Sequence, residues 1–541
     1  MKRSISKYIA LLLVVSIFVT TLSGCGSGVV SSTGQIEPQQ SSSVASETTY
    51  PGEFPPANQS LPAGDTDKTE TSSKAPEESS VPASASEPES KAPASSAVTA
   101  PQAKPAASSS QAPASSASTA PQAKPAASSS QAPASSAATA PQAKPAASSS
   151  QAPASSKPDA APAVEQVDYT PAKSNVDEVR GIWISYLDFY SLAKDQNRSG
   201  FDANINSAFK AISGYGLNTV FVQVRPFGDA MYDSEIFPWS YVLTGHEGEN
   251  PGYDPLEIMV STAKKYGLRI EAWINPYRVL AIGSTRELSS SNPAVQAIRQ
   301  GKDTAISYNG GIFYNPASKT ARSLITQGVV ELVENYDIDG IHFDDYFYPT
   351  TDMAFDAVYY RDYCSAGGSL SQADWRRENV NALVRQVYAA VKNANSSVLF
   401  GISPQARMDN NYNGQFADVE KWLSNSGYVD YICPQIYYGF ENDSVPYSSS
   451  LSLWNKMCRG SGVALYVGLA VYKCGVSDKW AGSGANEWIS GTTMMRDMVD
   501  EAREASSYEG FLLYRYDSLF NPDSAVSAHI SKERANLKSV L

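Results

Sequence analysis

The chain has 541 residues, of which 10% are aromatic and 18% charged, and a formal net charge of −13. Residues 1–170 hold 10 basic and 13 acidic side chains and the remainder 32 and 42, so the aromatic-rich part carries about −10. That acidity argues against nucleic acid or another polyanion as partner and suits a neutral or cationic ligand.

The first segment is basic, then apolar. Lys2, Arg3 and Lys7 precede an apolar run from Ile9 to about Val19, followed by Leu22-Ser23-Gly24-Cys25. The run is too short for a membrane span and fits a secretory signal. The LSGC ending resembles the cleavage box of bacterial lipoproteins. The resemblance implies a leader over 1–25, a lipid on Cys25, and an extracytoplasmic chain held to the membrane by its acyl groups. Residues 26–170 are mostly Ser, Ala, Pro, Gln, Lys and Glu, and PQAKPAASSSQAPASSASTA at 101–120 returns at 121–140 with Ala138 in place of Ser118. Such a segment buries too little apolar surface to offset its ordering entropy. It has no hydrophobic face to stack as a solenoid, so a disordered Pro-rich tether is expected.

Residues 171–541 form the predicted folded domain. Short, continuous apolar runs read as strands buried on both faces. They are GIWISYL (181–187), NTVFVQVRP (218–226), RIEAWINP (269–276), DGIHFDD (339–345), SVLFGISPQ (397–405), YVDYICPQIYY (428–438), ALYVGLAVY (464–472) and GFLLYRYD (510–517). Helical patterns lie between them. FDANINSAFKAI places Ile205, Phe209 and Ile212 at helical spacing, with Gly214 and Gly216 as the stop. PLEIMVSTAKKYG, ARSLITQGVVELVENY, NVNALVRQVYAAVKNAN and MMRDMVDEAREAS follow. Eight β-then-α units predict an α/β fold, a (β/α)8 TIM barrel with enlarged βα loops. The rival is an open doubly wound sheet, but no glycine-rich nucleotide loop opens a helix.

Barrel chemistry sits at the carboxyl ends of the strands. Those ends are polar and aromatic here: Gln223 and Arg225, then Trp273, Asn275 and Arg278, Gln405 and Arg407, Gln435 and Tyr437, and Arg515 and Asp517. DGIHFDDYFYP (339–349) ends its strand in two acids. Strand alternation puts His342 and Asp344 on one face, which makes Asp344 the first candidate catalytic carboxylate. Asp345 turns away or starts the loop. Glycoside hydrolysis usually employs two carboxyl groups, and Asp345, Asp229, Glu271, Asp409 and Asp517 are the possible seconds. Glu271 lies deeper in its strand and is discounted, whereas Asp229 follows a strand end and is favoured. Neither a metal nor a cofactor is implied. The three histidines, His246, His342 and His529, lack ligand spacing, and no CxxC pair occurs. The cysteines beyond Cys25 are Cys364, Cys433, Cys458 and Cys474. They permit disulfides in an oxidising compartment, with Cys433 the best fit to a free core thiol.

Five segments carry a resemblance: RGIWISYLDF, FVQVRPFGDAMYDSEIFPWS, LTGHEGENPGYDPLE, AWINPYRV and DGIHFDDYFYP. In this order they resemble the glycosyl hydrolase-like 10 family. The resemblance implies a barrel acting on cell-wall polysaccharide, with peptidoglycan glycan strands as the substrate class. It also implies site positions at Arg225, Asp229, Tyr232, Trp239, Trp273, Asn275, Arg278 and Asp344. DGIHFD is similar to the fourth-strand motif of α-amylase-like enzymes, whose last Asp is the nucleophile. Compared with the chitinase motif DGxDxDxE, His342 replaces one Asp, and Tyr346 stands at the position of the acid Glu. A barrel that binds glycan without cleaving it is the alternative.

Overall fold

The structure, a computed structural model, describes residues 170–541. The leader, Cys25 and most of the tether lie outside the described residues. Among the described residues eleven strands occur in chain order: β1 (Val179–Ile184), β2 (Thr219–Arg225), β3 (Arg269–Ile274), β4 (Arg278–Leu280), β5 (Ala305–Tyr308), β6 (Gly311–Tyr314), β7 (Gly340–Phe343), β8 (Leu399–Ile402), β9 (Tyr431–Ile432), β10 (Ala464–Ala470) and β11 (Tyr508–Tyr514). Eight of them close a parallel barrel in the order β1-β2-β3-β7-β8-β9-β10-β11. The α/β class and the (β/α)8 barrel read from the sequence are therefore present, and the doubly wound alternative is not.

Helices pack outside. Arg198–Tyr215 buries Ile205, Phe209 and Ile212. It runs through Gly214 and stops at Gly216, whose φ of 105° suits a residue without a Cβ. Pro255–Lys265 starts at Asp254, whose carboxylate accepts from the amides of Leu256 and Glu257. Lys319–Asn335, Gln372–Ala394 and Met494–Arg503 fill the other predicted slots, and Ser527–Lys538 closes the ring after β11.

Two strands end earlier than the apolar runs suggest. The run at 428–438 yields only β9, and the run at 397–405 only β8. Pro404 and Pro434 have no N–H for the ladder, so regular pairing stops there. Isolated bridges, Gln405 to Gln435 and Gln435 to Gly468, carry the barrel upward instead. A segment the sequence did not reveal lies between β3 and β7. It is a three-stranded antiparallel sheet in the order β4-β6-β5.

The barrel interior is aromatic, with Trp183, Phe221, Trp273, Tyr431, Tyr466 and Tyr514 among its buried side chains. Glycines make room for these rings. A Cβ on Gly401 would lie 2.1 Å from the Tyr431 ring. Cys433, Cys458 and Cys474 are buried free thiols and Cys364 is an exposed one, so none of the disulfides allowed by composition forms.

Candidate active site at the carboxyl ends of the strands

β7 sets the geometry. Ile341 and Phe343 face the helices and join the outer core, while His342 points into the barrel. Asp344 follows on the inner side. Of the two courses expected for Asp345 the structure shows the second: it starts the loop, and the bend after β7 keeps it on the same cleft. Nine residues line that cleft: Trp183, Trp273, Asp344, Asp345, Tyr346, Ser403, Gln435, Tyr437 and Tyr514.

Both carboxylates are held. Trp273 Nε1 donates to Asp344 Oδ2 at 3.0 Å, and the Tyr346 amide donates to Oδ1 at 3.1 Å. Gln435 Nε2 donates to Asp345 Oδ1 at 3.1 Å. Burial first, and then the neighbouring Asp345 charge, push Asp344 up to about 7 against the pull of Arg278. Burial also raises Asp345, opposed by amide donors from Gln435 and Gln405. Like charges side by side resist joint ionisation, so the pair shares a proton near neutral pH. Arg278 stands above them, its guanidinium 4.4 Å from the Tyr346 ring centre and 4.6 Å from that of Phe227.

Beneath the cleft runs a hydrogen-bonded ladder. Trp183 Nε1 lies 3.2 Å from His342 Nε2, and Ser403 Oγ lies 3.0 Å from the same nitrogen. An indole can only donate, so Nε2 accepts and Nδ1 carries the proton towards Tyr431 Oη at 2.8 Å. Tyr431 in turn donates to Glu271 Oε2 at 2.6 Å. Burial lowers His342 to about 3, so it is neutral. Burial raises Glu271 to about 7. His342 thus orients Trp183 and Ser403, two walls of the cleft, and does not reach it.

A model of the family described as "Glycosyl hydrolase-like 10" matches residues 178–483. The chain belongs to the glycosyl hydrolase-like 10 family. It is 34% identical over 332 residues to the glycosyl hydrolase DigH of Escherichia coli K12, covering 57% of this chain and 74% of that relative. It is 36% identical over 302 residues to the glycosyl hydrolase YngK of Bacillus subtilis, covering 52% and 58%. Among solved structures, the PgaB (BpsB) glycoside hydrolase domain of Bordetella bronchiseptica matches with a TM-score of 0.43 at 12% identity, over 65% of this chain and 98% of that one. The protein is a glycoside hydrolase by family.

The glycosyl hydrolase-like 10 motif residues do not all meet at the cleft. Asp229, favoured as second acid, is fully buried. Its Oδ2 accepts from Ser240 Oγ at 2.9 Å and lies 3.8 Å from Arg286, which also pairs with Glu247. It does not line the cleft, and its contacts with Ser240 and Arg286 pin the loop after β2. Arg225 is buried too, its guanidinium 4.6 Å over the Phe237 ring, with Tyr232 buried nearby and Trp239 half-buried on the same loop. Asn275 is fully buried and accepts from Gln223 Nε2 at 2.6 Å, which ties β2 to β3. Neither these four nor Asp229 line the cleft. Arg515 pairs with Asp188 and with Asp517, at 3.4 Å, and both Arg515 and Asp517 line a separate trough with Tyr472 and Trp480. Asp409 forms an ion pair with Arg407 at 2.7 Å, away from the cleft.

The sequence reading overlooked Trp183, Tyr346, Ser403 and Tyr514. Parity was the available signal for Tyr514. Leu512 and Tyr514 point inward on β11, so the adjacent Arg515 leaves the cleft.

Proposed function

We propose that this glycoside hydrolase cleaves cell-wall polysaccharide, with peptidoglycan glycan strands as the substrate class, and that Asp344 is its principal carboxylate. The observation that carries the reading is a carboxyl group raised to about 7 in an aromatic-walled cleft at the barrel mouth. Such a group is half protonated at neutral pH and can give its proton to a glycosidic oxygen. Trp273 donates to it and the Arg278 charge favours its ionised form, and the aromatic faces suit the C–H faces of sugar rings. A wider groove adjoins the cleft at Tyr346 and runs past Ile282, Phe313, Thr350, Gln405 and Asn410. The β4-β6-β5 sheet supplies one of its walls, which gives a chain of sugars a place to extend. The leader and LSGC motif support an extracytoplasmic enzyme held to the membrane by a lipid on Cys25. Labelling with a fatty-acid analogue, lost on Cys25→Ala, tests the anchor. Digestion of glycan strands by wild type and Asp344→Asn tests the chemistry.

A further inference from the structure

The cleft offers acids on one wall only. Of the nine described residues that line it, Asp344 and Asp345 are the two carboxylates. Consecutive Cα atoms lie about 3.8 Å apart, so the two spring from one turn of chain. A covalent nucleophile or a water-activating base normally faces the general acid across the sugar, about 5 Å or 6.5–9.5 Å away. The buried Asp229 and Glu271 do not supply that opposing group.

A second observation completes the picture. Tyr514 lines the same cleft, is 6% exposed, and its buried hydroxyl has no hydrogen-bond partner. A buried lone hydroxyl is costly unless a ligand satisfies it.

We propose that the substrate supplies its own nucleophile: the cleft binds the 2-acetamido group of an N-acetylated hexosamine, Asp345 accepting its N–H and Tyr514 donating to its carbonyl. The methyl then packs on the Trp183 and Trp273 walls. In the first step Asp344 gives its proton to the glycosidic oxygen, and the C1–O bond pair leaves with the departing sugar. The acetamido oxygen bonds to C1, and Asp345 takes the amide proton, which yields a neutral oxazoline. In the second step water gives a proton to Asp344 and its oxygen bonds to C1. The C1–O bond of the oxazoline breaks, and the nitrogen recovers its proton from Asp345. The sum is hydrolysis with retained configuration, without an enzyme adduct.

This rests on the glycan-strand reading and is tested separately from it. The full chain is given stem-peptide-free glycan strands that are N-acetylated, N-deacetylated, or deacetylated and then re-acetylated. The expected result is a fall of at least about a hundredfold on deacetylation, restored by re-acetylation. Equal cleavage of deacetylated strands, or a glycosylated carboxylate in the quenched enzyme, would overturn the proposal. Binding of N-acetylglucosamine thiazoline, a stable oxazoline mimic, is measured in parallel by calorimetry. Wild type and Asp344→Asn should bind it, and Asp345→Asn and Tyr514→Phe should each bind at least about tenfold more weakly. Thiazoline binding unchanged by both substitutions, or absent from the wild type, would overturn the acetamido pocket even if strands are cut. Failure to cut any strand would instead count against the hydrolase reading, while thiazoline still decides the pocket.

Discussion

Asp344 is a carboxylic acid made useful by its surroundings. Burial and Asp345 raise it to about 7, while Trp273, the Tyr346 amide and Arg278 keep its charged form accessible. In the proposed role of general acid it must be protonated in the free enzyme, so kcat/KM should fall as pH rises through about 7. The low-pH limb should follow Asp345, which must be ionised. A flat profile from pH 6 to 9 would remove Asp344 from that role. Glu271 provides an independent check of the buried ladder. Burial raises it from 4.5 to about 7, so the folded state holds its proton more tightly than the unfolded state. Its contribution is fully present below about pH 4.5 and is lost as pH rises through about 7. Unfolding by urea at pH 5 and pH 8 should therefore show a smaller loss of stability in Glu271→Gln than in wild type. An identical loss in the two proteins would contradict this.

At the scale of elements, apolar runs and glycine stops made the barrel legible, because strands buried on both faces leave a continuous hydrophobic signal. The same runs overstated β8 and β9, because Pro404 and Pro434 interrupt the ladder while the chain stays buried. The β4-β6-β5 sheet was not legible: its strands have three or four residues each, too short for a periodic pattern. Strand parity and barrel logic agree in placing Asp344 on the inner side after β7, where it lines the cleft. Asp229 was misplaced because position just after a strand says nothing about which way a loop folds, and Ser240 with Arg286 draws it inward. Packing inside the barrel depends equally on small residues. Gly401→Ala would push a methyl into the Tyr431 ring, which anchors the His342 ladder. A loss of roughly 1–3 kcal/mol is expected from the urea midpoint at pH 7. An unchanged midpoint would mean the ring moves freely, against the ladder described.

For the whole molecule, the proposal gives the folded domain the chemistry and the Ser/Ala/Pro-rich segment, on its composition, the reach. A tether of this kind has a contour of roughly 3 Å per residue. Deleting residues 101–156 should leave the rate on soluble glycan strands unchanged within about twofold and reduce release of fragments from intact walls by anchored protein. A lower rate on soluble strands would show that the segment takes part in catalysis.

The most direct test is mass spectrometry of purified peptidoglycan glycan strands, with and without stem peptides, after incubation with the wild-type chain and with Asp344→Asn. The account predicts shorter oligosaccharides from the wild type, whose new reducing ends identify the bond. It also predicts at least a hundredfold less product from the variant, with glycan binding retained. Uncut strands that still bind the wild-type chain would contradict it and leave a glycan-binding barrel in place of an enzyme.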